Sequence, residues 1–134
     1  MFLYWDLVWK APGGLVTLEN HEATVRDQYY SVKHYARFTD PGYVRVGASS
    51  DTPELRASAF LSPNGRQLSV IALNTDMRTL VANVELGEYA NTACRVVRTV
   101  YRPGRSEVWK ELGELTQGPL VMPGRSVVTA VCQK

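Results

Sequence analysis

Apolar residues in this chain come in short blocks separated by turn formers. The first block, Phe2-Leu3-Tyr4-Trp5-Asp6-Leu7-Val8-Trp9, is apolar on both sides of a two-residue period. Leu3, Trp5, Leu7 and Trp9 fall on one face, and Phe2, Tyr4, Asp6 and Val8 on the other. Strands of that kind belong to covered sheets or barrels, commonly parallel ones. Asp6 is the exception, because an acid in such a strand needs a partner. The strand begins almost at Met1 with no polar lead-in, which suggests a polypeptide that starts inside a fold. Pro12-Gly13-Gly14 breaks it, Leu15–Leu18 reads as a short extended piece, and residues 19–26 read as a polar loop.

Only residues 27–38 carry a good helical pattern. Asp27 can cap the helix or favour its first turn, and Asp40-Pro41-Gly42 ends it. Tyr29, Val32 and Ala36 are expected on one side, with Tyr35 and Phe38 adjacent. After Gly42 the period changes. Segments 43–48, 56–62, 67–74, 79–86, 93–101, 107–112 and 125–132 are short and rich in Val, Ala, Leu and Tyr. Ser62-Pro63-Asn64-Gly65 is a hairpin turn; Asn74-Thr75-Asp76 and Arg102-Pro103-Gly104 are further turns. This spacing predicts an antiparallel β-sandwich, so the fold class is mainly β with one helix and a leading strand.

At 134 residues the chain is long enough to bury one core. Its net charge of +2 is dispersed, with no basic stripe, which argues against nucleic acid as a partner. No apolar stretch reaches the length of a membrane span. Residues 1–9 lack the basic region and cleavage site of a signal peptide. Cys94 and Cys132 lie in β-like segments without metal-ligand spacing. They are either a disulfide or two buried thiols. No phosphate loop or serine nucleophile elbow is present, and no cofactor is expected.

The order of strand, helix and all-β block resembles the C-terminal part of glycoside hydrolase family 30. The matching words are Tyr4-Trp5-Asp6-Leu7-Val8-Trp9, Gly13-Gly14-Leu15-Val16-Thr17-Leu18-Glu19-Asn20 and Tyr30-Ser31-Val32-Lys33-His34-Tyr35-Ala36-Arg37-Phe38. They continue as Pro41-Gly42-Tyr43-Val44-Arg45-Val46, Ser58-Ala59-Phe60-Leu61-Ser62-Pro63-Asn64-Gly65 and Pro123-Gly124-Arg125-Ser126-Val127-Val128-Thr129. The resemblance implies a (β/α)₈ barrel fused to a β-sandwich side domain. Residues 1–40 would be the remnant of the final β/α unit, and residues 41–134 the immunoglobulin-like side domain. Family members cleave β-glycosidic bonds with retention through two glutamates on barrel strands four and seven. Both strands would lie upstream of Met1, so no catalytic residue is assigned to this chain.

The same resemblance places Trp5 where the family keeps an aromatic beside the cleaved sugar. Trp9 and Glu19 are further candidates for sugar contact. An indole stacks on a pyranose, and the carboxylate can accept hydroxyl hydrogen bonds. Against this, Trp9 is expected to be core, and Glu19, Asn20 and His21 a solvated loop. His34 is expected to make a packing or backbone contact. Glu19, His21 and Glu22 are too weakly spaced for a metal site. Asp6 and Glu19 are not expected to act as a catalytic pair, which needs carboxyls about 5–5.5 Å apart on a positioning barrel. Asp6-Leu7-Val8-Trp9-Lys10 lacks the arginines of glucuronate-reading members, so xylan or a related β-glycan is the expected substrate of the parent enzyme. The parent is expected to be extracellular, and the isolated chain to be inactive and to dimerise through its N-terminal strand. The rival reading is a stand-alone carbohydrate-binding module with Tyr89, Tyr101 and Trp109 as its exposed platform.

Overall fold

The last strand of the chain is buried at every position from Ser126 to Cys132, so both faces of the sheet it joins are covered. A computed structural model describes residues 7–9, 13–103, 106–115 and 118–134. Within them the elements run β1 (Val8–Trp9), β2 (Val16–Glu19), β3 (Glu22–Val25), α1 (Asp27–Ala36), β4 (Val44–Val46), β5 (Leu55–Leu61) and β6 (Gln67–Asn74). They continue with β7 (Leu80–Ala82), a 3₁₀ turn (Gly87–Tyr89), β8 (Cys94–Val100), β9 (Glu107–Leu115), β10 (Leu120–Met122) and β11 (Ser126–Gln133). The main sheet has six antiparallel strands in the order β4-β5-β6-β11-β8-β9. A two-stranded antiparallel sheet, β7 with β10, packs on one face.

The period-2 alternation assigns the faces. Leu68 and Ala72, Cys94 and Val96, and Val128, Ala130 and Cys132 point inward. There they meet Leu120 and Met122 of β10 and the buried Tyr89. Cys94 and Cys132 are direct partners in the β8–β11 register and form a disulfide with Cα atoms 4.1 Å apart. The open choice at these cysteines is thereby settled as a disulfide. The Ser62–Gly65 hairpin turn joins β5 to β6 as expected, with the Gly65 N–H donating to the Ser62 carbonyl at 2.9 Å.

The other face carries Ser69, Val97, Thr99, Val127, Thr129 and Val131, and α1 covers it. The helix face against the sheet runs through Ser31, His34 and Phe38, rather than through the Val32–Ala36 side. Ala36 is exposed. The stripe is rotated because the contact is partly polar. His34 is fully buried, with Nδ1 2.7 Å from Thr129 Oγ1 and Nε2 2.9 Å from Thr99 Oγ1. It bonds through its ring rather than through packing or backbone alone. Ser69 Oγ donates to the Phe38 carbonyl at 2.7 Å, and Thr39 Oγ1 to the Tyr35 carbonyl at 2.7 Å, so two helix-end acceptors are satisfied.

One irregularity in β9 supports this docking. The β8–β9 register shifts between Arg98 and Val100, a β-bulge at which Trp109 takes a left-handed φ of 51°. Its N–H donates to Thr99 Oγ1 at 3.2 Å, and its indole stacks on Phe38 and lies against His34. Lys33 Nζ sits 4.0 Å from the indole centroid. The bulge thus turns an aromatic onto the helix face.

Residues 19–26 are not a loop. β2 and β3 form a hairpin with Val16 opposite Val25 and Glu19 opposite Glu22. Asn20 and His21 carry φ of 48° and 66°, the backbone of a two-residue type I′ turn. Asn-His lacks the glycine that normally signals this turn, so the polar tip hid the hairpin. Residues 2–6 of the expected first strand, Trp5 and Asp6 included, lie outside the described residues. β10 was not anticipated, and the expected strand 79–86 is limited to Leu80–Ala82.

Two stability predictions follow from these contacts. Burial, with Lys33 adding repulsion, lowers the His34 pKa from 6.5 to about 4. The neutral ring fits the fold, while the unfolded chain takes up a proton near pH 6.5. The stabilisation is complete above pH 6.5 and drains as pH falls to 4. Denaturant titrations should lose about 3 kcal/mol between pH 7 and pH 4 on this account, and His34→Gln should flatten that slope. The disulfide closes a loop across a sequence separation of 38. Melting the Cys94→Ala/Cys132→Ala variant should report a loss of about 4 kcal/mol on the loop-entropy model.

Candidate functional site

Trp9 and Glu19 are brought to one small sheet. β1 pairs in parallel with β2, with Val8 opposite Val16 and Trp9 opposite Thr17. The Val16 N–H donates to the Leu7 carbonyl at 2.9 Å. Register places Trp9, Thr17 and Glu19 on one face, with Thr24 and Glu22 beside them on β3. The chain returns from β1 to β2 within residues 10–15, far less than a parallel crossover usually needs. Such a return requires glycine at position 14, where a Cβ would stand 2.8 Å from both the Trp9 nitrogen and the Val16 carbonyl oxygen.

Trp9 is 56% exposed and is not a core residue. Glu19, His21 and Glu22 are exposed around the hairpin tip. Thr17 is buried, and its Oγ1 finds no hydrogen-bond partner among the described residues. An exposed indole beside hydroxyl and carboxylate groups can hold a sugar ring by stacking and accept hydrogen bonds from its hydroxyls. Glu19 and Glu22 sit in open solvent rather than in a water-excluding pocket. Among the described residues no cluster of His, Cys, Asp or Glu can hold a metal ion.

The opposite face of the same sheet carries Val8, Val16, Leu18, Ala23 and Val25. Val8, Leu18 and Val25 are exposed there. The proposed aromatic platform on the sandwich is absent. Tyr89 is 6% exposed within the core. Tyr101 is half-buried, and its hydroxyl bonds Ser31 and the Asp27 carbonyl. Trp109 is stacked on Phe38 beneath Lys33. All three serve packing of the core or helix.

The model of the glycosyl hydrolase family 30 β-sandwich domain matches residues 42–130, from just before β4 into β11. The chain belongs to this family. Solved structures of family 30 enzymes share the fold. An endoxylanase of that family from Clostridium papyrosolvens aligns with 99% of this chain and 32% of its own, at 22% identity and a TM-score of 0.65. The catalytic domain of xylanase C from Talaromyces cellulolyticus aligns over 91% of this chain and 28% of its own, at 24% identity and a TM-score of 0.71. An α-L-arabinofuranosidase of family 51 from Thermotoga petrophila shares the fold at 12% identity and a TM-score of 0.69. The chain therefore spans about a third of the length of these family 30 structures. No curated protein sequence is significantly similar to it.

Sequence reasoning missed the ring contacts of His34 and an open polar cleft lined by Arg37, Arg95 and Glu114, among others. Arg95 and Glu114 are cross-strand partners, a relation that pairing creates and spacing does not reveal. Gly14→Ala tests the sheet that presents Trp9. The added methyl should push β1 off β2, and exchange of the Val16 amide should rise about tenfold or more in hydrogen-exchange NMR.

Proposed function

We propose that this chain is the C-terminal portion of a retaining β-glycosidase acting on xylan or a related β-glycan, and that its sandwich braces the catalytic barrel. The observation that supports this most directly is the seating of α1 on the six-stranded sheet through His34, Thr99 and Thr129. On this reading residues 1–40 are the last β/α unit of the barrel and residues 41–134 the side domain. A barrel helix locked to the sandwich by buried polar contacts transmits the sandwich's stability to the barrel. The exposed Val8, Leu18 and Val25 face is what adjoining barrel elements would cover. Trp9, with Glu19 on the neighbouring strand and, by the family resemblance, Trp5, would line the sugar-binding end. The two catalytic glutamates would come from the rest of the enzyme. The Cys94–Cys132 disulfide suits an exported enzyme.

The purified chain should show no turnover of xylan or β-linked chromogenic glycosides above blank. Joined to a family 30 xylanase barrel that lacks its own last β/α unit and sandwich, it should restore soluble, hydrolytic enzyme. Turnover by the chain alone, abolished by Glu19→Gln, would overturn this reading. The isolated chain should also self-associate through the uncovered sheet face. Sedimentation should give a concentration-dependent dimer that Leu18→Lys/Val25→Lys disperses.

A further inference from the structure

An open cleft of about 420 Å³ lies on the main sheet where α1 ends. Arg37 and Asp40 enter it from the end of the helix, Gln67 from β6, Arg95 from β8, Glu114 from β9 and Gln133 from β11. Two guanidiniums and two carboxylates thus face one concavity. None of the four takes part in a salt bridge among the described residues. Arg95 and Glu114 are direct cross-strand partners, a position where opposite charges usually pair. Arg95 instead lies over the Phe38 ring, 5.5 Å from its centroid. The amides are held in place. Gln133 Nε2 donates to Gln67 Oε1 at 3.1 Å, and Gln67 Nε2 donates to Ser69 Oγ at 3.2 Å. Ser69 Oγ in turn donates to the Phe38 carbonyl at 2.7 Å.

We propose that this cleft is a binding site for a neutral oligosaccharide. Its formal charges cancel, so it selects neither an anion nor a cation. Its walls are polar, so an apolar ligand has little to bury. A guanidinium offers two parallel donors, a carboxylate two acceptors and an amide one of each, geometries that span adjacent sugar hydroxyls. A solvated notch with unpaired surface charges is the bland account. It leaves the gathering of Arg37, Asp40 and Glu114 around the Gln67–Gln133 bridge without a use. That the sugar is β-linked rests on the function proposed above.

The test is an NMR titration of the ¹⁵N-labelled chain with xylohexaose, cellohexaose and maltohexaose, each up to about 10 mM, a range suited to a weak open site. The expected result is saturable shifts of the Arg95, Glu114 and Gln133 amides with xylohexaose or cellohexaose. Arg95→Ala and Glu114→Ala, both at exposed positions, should each weaken binding about tenfold. Arg66→Ala, outside the cleft, should leave it unchanged. Shifts from maltohexaose alone would keep the cleft as a sugar site and overturn the β-glycan reading. No shifts with any sugar, or shifts indifferent to both cleft variants, would overturn the cleft while leaving the barrel-complementation result to stand.

Discussion

A neutral imidazole between two threonine hydroxyls carries the polar side of the helix–sheet contact. Ser69, Thr99 and Thr129 sit in the middle of a sheet face whose other buried residues are Ile71, Val97, Val127 and Val131. Thr99 and Thr129 bond the His34 ring, Ser69 bonds the Phe38 carbonyl, and Thr99 also accepts the Trp109 N–H. Without α1 these hydroxyls would lose partners, at about 1–3 kcal/mol for each group left buried and unsatisfied. Helix and sheet are therefore mutually dependent. An apolar interface would allow the helix to slide or detach with less specificity, whereas these bonds fix one register.

The two faces of the main sheet are stabilised by different physics. The inner face is apolar, crossed by the Cys94–Cys132 disulfide and covered by β7 and β10. The outer face is held by hydrogen bonds, by Phe38 on Val97 and Val131, and by the Trp109 bulge. A bulge that places a tryptophan at positive φ is locally unfavourable and persists only when its surroundings over-determine it. Here the indole is fixed by Phe38, Lys33 and His34 together.

The outline of the fold was legible because each local signal was strong. Most Val-rich blocks at two-residue period and the Ser62–Gly65 turn fall where strands begin and end, while α1 stops at Ala36, ahead of Asp40-Pro41-Gly42. The family could be recognised from the words around the helix and the first sandwich strands. What stayed hidden depended on pairing. The β2–β3 hairpin turns on Asn-His rather than on glycine, and β10 is a three-residue strand that only β7 makes regular. A helix that buries histidine and serine cannot be oriented from its apolar residues alone, which is why the expected stripe was rotated. Trp9 looks like core in a linear alternation, yet the described neighbours of β1 leave it exposed. The cleft is built from five separate segments, so no single stretch of sequence announces it.

Native-state hydrogen exchange of α1 tests the central claim, that helix and sandwich form one cooperative unit. If the His34 contacts lock them together, the amides from Ser31 to Ala36 should exchange with the same opening free energy as the central amides of β11, and His34→Ala should lower both together. If α1 instead exchanges through local opening several kcal/mol below β11, the helix is an appendage and the account of the sandwich as its brace is wrong.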